Sequence, residues 1–356
     1  MENSVPAKKE RNYGIELLRL VLMFMVCVLH TCGQGGAISG AKTQATYNAL
    51  WFLEVISFYA VDGFAIISGY TATGKKKNFS KFFAMWFQAF FYSFIVSLIL
   101  TLFGVGSLTT EELLDQATPL LSNCFWYFTA YAALFVLSPL IDKAIAAIDE
   151  KYAIKLMIVI IVFFSIVPRF SKGDIFAMVS GYSAIWLIIC YAIGALAKKG
   201  RLLEQVKTPI LVAVWAAMVL ITWLLYITGV TADLINYASV TMVVAALMLV
   251  LIFSRMKFKG TIISRLAPLA FGIYLFQIST IIWKDILKGL YVGIGACSVI
   301  PAVILALLGA LGIFAAGLIV EFLRTKLMQL IRLPKFCDFL AGIGGRAVSW
   351  IASKIQ

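Results

Sequence analysis

The chain has 356 residues, 62% of them hydrophobic and only 13% charged, and its mean hydropathy is +0.97. Soluble domains run at about 45–50% apolar and roughly 25% charged, and disordered chains are poorer still in apolar residues, so both classes are excluded. Six cysteines without a CxxC pair, and a single histidine, offer no zinc-type ligand cluster, and no metal is expected.

A membrane-spanning helix needs about 20 apolar residues. In chain order, stretches of that kind run over 15–32, 49–72, 82–103, 123–141, 153–168, 176–197, 208–228, 235–254, 267–287 and 297–322. The expected fold is all-α: a polytopic membrane bundle of about ten helices. The first stretch is long and no small-residue cleavage site follows it, so it reads as an uncleaved anchor. No internal repeat or low-complexity tract is visible.

The net charge of +13 is explained by where the cations fall. With ten spans, 25 of the 30 Lys and Arg lie on one side, among them Lys75, Lys76, Lys77 and Lys81; the other side holds Lys42, Arg169, Lys172, Lys284 and Lys288. The positive-inside rule then puts both termini in the cytoplasm, and no nucleic-acid partner is needed. Residues 1–323 read as the membrane domain. Residues 324–356 mix basic residues with Leu, Ile, Phe and Trp350. They read as a basic amphipathic tail on the cytoplasmic face, with a disordered tail as the alternative.

Ionisable residues inside a span are costly and mark function by default. On the first span Arg19 and His30 are eleven residues apart. That is about 1100° of helix, three turns plus roughly 20°, so they share a face about 16 Å apart. Glu16 precedes Arg19 by one turn and can pair with it. Arg19 reads either as a snorkelling anchor or as an anion ligand, and His30 either as a packing residue or as a base. The second span runs the opposite way, which sets Glu54 at the depth of His30 and Ser68 at that of Arg19. Asp62 lies between them, either as a structural pair or as part of a site. Trp126, Tyr127 and Tyr131 open the fourth span, as an aromatic belt or a binding wall. Tyr274 and Gln277 lie in the ninth, where interhelical bonding is the default. Glu321 is within one turn of Arg324 as an ordinary ion pair.

The run Gly14-Ile-Glu16-Leu-Leu-Arg19, followed by His30, resembles the first helix of the membrane-bound acyltransferase-3 family, whose members share an Arg-x10-His signature. Phe58-Tyr-Ala-Val-Asp62-Gly-Phe64 through Ser68-Gly69-Tyr70 resembles that family's second-helix pattern. Trp126-Tyr127-Phe128 through Ser138-Pro139-Leu140-Ile141, Tyr191-Ala-Ile-Gly194 and Gly272-Ile273-Tyr274-Leu275 are similar to three more of its segments, in order and over nearly the whole chain. The nearest flavour is the branch found in bacterial surface-polysaccharide gene clusters. Two departures stand out. Gln277 occupies a position where many members carry His, and Lys81-Phe-Phe-Ala-Met85 stands where many carry an Arg pair. The extracytoplasmic domain appended to some members is not expected.

The resemblance implies a multi-pass enzyme of the bacterial plasma membrane. It would transfer an acyl group, usually acetyl, from cytoplasmic acetyl-CoA or another acyl-CoA to a hydroxyl of a cell-surface or lipid-linked glycan. In that reading His30 is the general base, oriented by Glu54 or Asp62. Arg19, with Glu16, Ser68, Tyr70, Lys75 and Lys81, serves the donor. Trp126, Tyr131, Tyr274 and Gln277 serve the acceptor. Two other classes stay open: a transporter or flippase, and a catalytically inactive sensor on the same fold. The first predicts discontinuous helices and repeat symmetry, neither found in the sequence.

Overall fold

The computed structural model describes residues 11–72, 78–231 and 233–355; Lys75, Lys76 and Lys77 lie outside them. The described residues form helices and loops without strands. In chain order the helices are α1 (Tyr13–Cys32), α2 (Gln44–Phe58), α3 (Ala60–Ala72), α4 (Phe79–Phe90), α5 (Val96–Leu102), α6 (Thr110–Ala117), α7 (Trp126–Ala147) and α8 (Glu150–Ile166). They continue with α9 (Ala184–Lys199), α10 (Leu202–Gln205), α11 (Thr208–Ile227), α12 (Val240–Ser254), α13 (Thr261–Leu266), α14 (Ala270–Gln277), α15 (Val299–Leu330) and α16 (Leu333–Ile355).

Among the described residues, seven helical segments are long and apolar enough to cross a membrane. Two are composite. Gln44–Ala72 joins α2 and α3 across a break at Tyr59, and Phe79–Leu102 joins α4 and α5 through a π-helical turn, Phe91–Ile95. The other three expected stretches differ from simple spans. The stretch over 176–197 holds only the 16-residue α9, because a loop with left-handed residues at Ala177, Val179 and Ser180 takes its first part. The stretch over 235–254 holds the 15-residue α12. The stretch over 267–287 is broken: Thr261–Gln277 and Ile282–Ala296 meet at a bend of 73°. A discontinuous helix is therefore present after all.

α1 runs through the middle of the bundle and packs against α2, α3, α12, α14 and α15. Its start is fixed by Asn12. The side-chain oxygen accepts from Ile15 N, and the amide donates to Ser254 O at the end of α12. α3 crosses α9 at close range. A Cβ on Gly69 would sit 1.9 Å from Tyr191 O, and one on Gly194 would sit 2.1 Å from Ile66 O. Two glycines facing opposite backbones let the helices touch main chain to main chain, the small-residue mode of membrane helix packing.

The outer surfaces of α8, α11 and α15 expose Ile158, Val159, Ile210, Leu224, Ile304, Leu308 and Phe322. An apolar exterior of this extent suits hydrocarbon rather than water. α15 continues unbroken through Arg324 to Leu330, and the chain turns at Arg332 (φ 57) before α16. α16 rests on α4, where Ser80 Oγ donates to Asp338 Oδ1 (2.5 Å) and the rings of Phe87 and Phe336 lie 5.9 Å apart.

Candidate active site

The bend after α14 builds the site. Gln277 ends α14, and Trp283 lies on the π-helical segment beyond the break, Ile282–Leu287. His30, near the end of α1, fits between them. Its Nδ1 is 2.9 Å from Gln277 Oε1, and its ring meets Trp283 edge-on at 4.7 Å. Gln277 is fully buried, and its Nε2 points at Met23 Sδ, 3.7 Å away. That orientation turns the amide oxygen to the imidazole. A carbonyl oxygen only accepts, so Nδ1 carries the proton and Nε2 keeps its lone pair. The tautomer assignment follows from the amide's orientation.

The carboxylate expected behind the imidazole is not the partner drawn here. Asp62 lies on α3, where it is 1% exposed and turned toward α9. Its Oδ1 accepts from Trp186 Nε1 (2.8 Å) and from Cys190 Sγ (3.8 Å). Glu54 shares a cavity with His30 at the expected depth but makes no bond to it. The helix rotation decides this outcome: each residue of phase turns a side chain by about 100°, so depth does not determine facing.

Three cavities lie in a row along α1. One of about 290 Å³ at the Arg19 end is lined by Arg19, Ser68, Asn78, Lys81 and Tyr131 among others. A central one of about 450 Å³ runs past Arg19, Met23, Val26 and His30. A third, of about 430 Å³, holds His30, Gln34, Glu54, Trp126, Tyr274 and Trp283. Arg19, Lys81 and Met85 are common to the first two; His30, Trp126, Tyr237 and Tyr274 are common to the last two. Arg19 and His30 therefore stand at the two boundaries of the central cavity.

Among the described residues the Arg19 guanidinium forms no ion pair. Glu16, expected to hold it, is bonded instead to Arg11, Nε to Oε1 at 3.0 Å. Arg19 lines the cavity, and Glu16 acts on its guanidinium through space without a direct bond. Tyr70 is also displaced from its expected place. It lines a separate cavity of about 420 Å³ with Lys198, Lys199 and Arg201, and Lys198 Nζ lies 5.1 Å from its ring centroid. Gln277, expected to face the acceptor, sits behind His30 and lines none of the three cavities.

The sequence reading missed Trp283, Tyr182 and Tyr237. Tyr182 and Tyr237 pack on Trp126 at 4.7 Å and 6.0 Å and on each other at 4.8 Å. Tyr182 follows the strained loop, which one carboxylate holds. Asp174 accepts from Met178 N (2.9 Å) and Val179 N (2.5 Å). The backbone donors of Val179 and Met178 keep that carboxyl below the usual aspartate range. Only one hint to this loop was available, an Asp ahead of a Ser-Gly pair.

A bundle of apolar helices with Arg19 and His30 at the two ends of one cavity is a multi-pass membrane protein. The family model for the acyltransferase domain of acyltransferase family 3 matches residues 12–324, and the chain belongs to that family. Neither the curated proteins nor the solved structures gave a match.

Proposed function

We propose that this chain is an integral membrane O-acyltransferase of the bacterial plasma membrane. It moves an acyl group, usually acetyl, from cytoplasmic acyl-CoA to a hydroxyl of a cell-surface or lipid-linked glycan. The observation that carries the reading is the placement of Arg19 and His30 at opposite boundaries of one cavity. The Arg19 end is cytoplasmic in this reading, with ten crossings, counting α9, α12 and the bent pair, and both termini inside. α16 lies along the inner leaflet.

The donor enters beside Ser68 and Lys81. Its anionic arm meets Arg19, whose planar fork suits phosphate, and its thioester reaches the central cavity. The acceptor enters from the Glu54 end. The Nε2 lone pair of His30 takes the hydroxyl proton as the oxygen attacks the thioester carbonyl. The C–O bond forms, the C–S bond breaks, and the proton passes to the departing sulfur as free thiol. The imidazole ends neutral, as it began. Gln277 keeps Nδ1 protonated throughout. Cys124 shares the acceptor cavity, where its thiol lies against Asp115 O and Ser122 Oγ; the direct attack does not use it.

The bent pair at 278–281 favours one second reading, a transporter, since discontinuous helices line transport sites. Labelled acetyl-CoA separates the two. An acyltransferase deposits label in surface glycan only when the gene is present. A transporter leaves the glycan unlabelled.

A further inference from the structure

Glu54 has no protein partner for one of its two oxygens. It is 9% exposed, and Oε2 is buried without a hydrogen-bond partner among the described residues. Gly33 lies alongside, where a Cβ would be in ordinary contact with Oε1 at 3.6 Å. No Lys or Arg lines the cavity that it faces. The nearby Lys284, one residue past Trp283, is bound to Glu112 at 3.6 Å. Burying a carboxylate is costly unless a cation or several donors compensate it. Among the described residues the chain supplies neither, so Glu54 stays ionised only when a ligand brings the cation, and otherwise holds a proton.

The rest of the wall is largely aromatic. Phe58 and Tyr237 meet at 4.7 Å, Tyr182 and Tyr237 at 4.8 Å, and Trp126 and Tyr182 at 4.7 Å. Ring faces carry negative quadrupole density and attract cations. A carboxylate and aromatic faces, with no positive side chain, make a cavity whose complement is a cation attached to a flat, partly apolar body. Its volume of about 430 Å³ lies in the range of small-molecule sites.

We propose that this cavity binds an acceptor unit bearing a protonated amine, of the amino-sugar class, with the ammonium on Glu54 and the sugar body against the aromatic wall. The proposal rests on the acyltransferase reading for the unit's role as acceptor, though not for its binding. It also has a chemical consequence. An amine held as ammonium has no lone pair, so the hydroxyl presented to His30 is the nucleophile and transfer goes to oxygen rather than nitrogen. A neutral sugar can exchange hydroxyl bonds with Glu54 but brings no charge to hold the carboxylate ionised.

The test uses the purified full chain in lipid nanodiscs, with methyl glucosaminide and methyl glucoside as probes, titrated by ligand-observed saturation-transfer NMR. The expected result is at least tenfold tighter binding of the aminated probe. Glu54→Gln, close in shape to the native residue, is expected to remove that preference while glucoside binding persists, and Glu54→Asp to retain part of it. Equal affinity for the two probes, a preference that survives Glu54→Gln, or binding of neither probe overturns the proposal. No acyl donor is present, so the outcome is separate from transfer. If the preference is missing while label still reaches glycan, only this proposal falls. If the preference is present while no acceptor is ever labelled, the cation site stands and the acyltransferase reading falls.

Discussion

His30 and Gln277 are 247 positions apart in the chain and 2.9 Å apart in the structure. The amide buries its nitrogen against Met23 and offers its oxygen to Nδ1, which leaves Nε2 as the only basic nitrogen of the ring. A neutral amide does this work where a carboxylate was expected.

Gln277→Ala should lower kcat by about tenfold, the equivalent of one orienting hydrogen bond at ~1.4 kcal/mol, with KM for both substrates nearly unchanged. Gln277→Glu, which still offers Nδ1 an acceptor oxygen, should restore most of that loss. Steady-state kinetics measures both. A change confined to acceptor KM would show Gln277 in contact with substrate instead.

Arg19→Lys keeps the charge and loses the fork. Apparent affinity for acyl-CoA should fall roughly tenfold or more, since hydrogen bonds to charged groups contribute about 1.5–3 kcal/mol. The acceptor KM should not move. The same variant tests the direction of the cavities: an effect on acceptor alone would reverse them.

Glu321 should matter for stability and not for chemistry. It is 2% exposed, bonded to Arg324 at 2.7 and 2.8 Å, to Thr325 Oγ1 at 3.0 Å and to Tyr92 OH at 2.9 Å. Removing one member of a buried pair costs about 3–5 kcal/mol, so Glu321→Ala should lower the thermal midpoint sharply. Tyr92→Phe should cost only about 1 kcal/mol. Gly272→Ala should resemble Glu321→Ala, because its Cβ would fall 2.2 Å from Glu321 Oε2. Thermal unfolding in detergent compares all three.

The Asp174 clamp gives a pH dependence of definite sign. Its carboxyl is depressed in the folded chain by the Val179 and Met178 backbone donors. Its contribution is therefore present above the unfolded value near ~3.9 and is lost as pH falls through the lower folded value. Hydrogen exchange at Met178 and Val179 should stay protected near pH ~4 and rise only in stronger acid. Asp174→Asn should remove that acid-dependent step.

Some of this was legible from residues alone. Apolar length gave the helices, and the eleven-residue spacing put Arg19 and His30 along one row of cavities. Opposed helix directions brought Glu54 to the depth of His30, in the same cavity. Facing was not legible. Asp62 turned to Trp186, Glu16 to Arg11 and Tyr70 to a cavity with Lys198, because a small error in helical phase redirects a side chain while hardly changing its depth. The bend at 278–281 was hidden as well. Its stretch has no Pro or Gly at the break, only Gln277, Ser279 and Thr280, which also occur inside unbroken membrane helices. Without the bend, Gln277 and Trp283 cannot flank one ring. The positive φ of Val179 was equally invisible, since a β-branched residue argues against that conformation.

The central claim is that His30 is the base of an acyl transfer. It is tested most directly by His30→Ala in proteoliposomes supplied with labelled acetyl-CoA and extracted surface glycan, scored as turnover per folded molecule. The account predicts a loss in the range of about 10²–10⁴-fold, the usual contribution of a general base, with folding and donor binding retained. Unchanged turnover per folded molecule would contradict it.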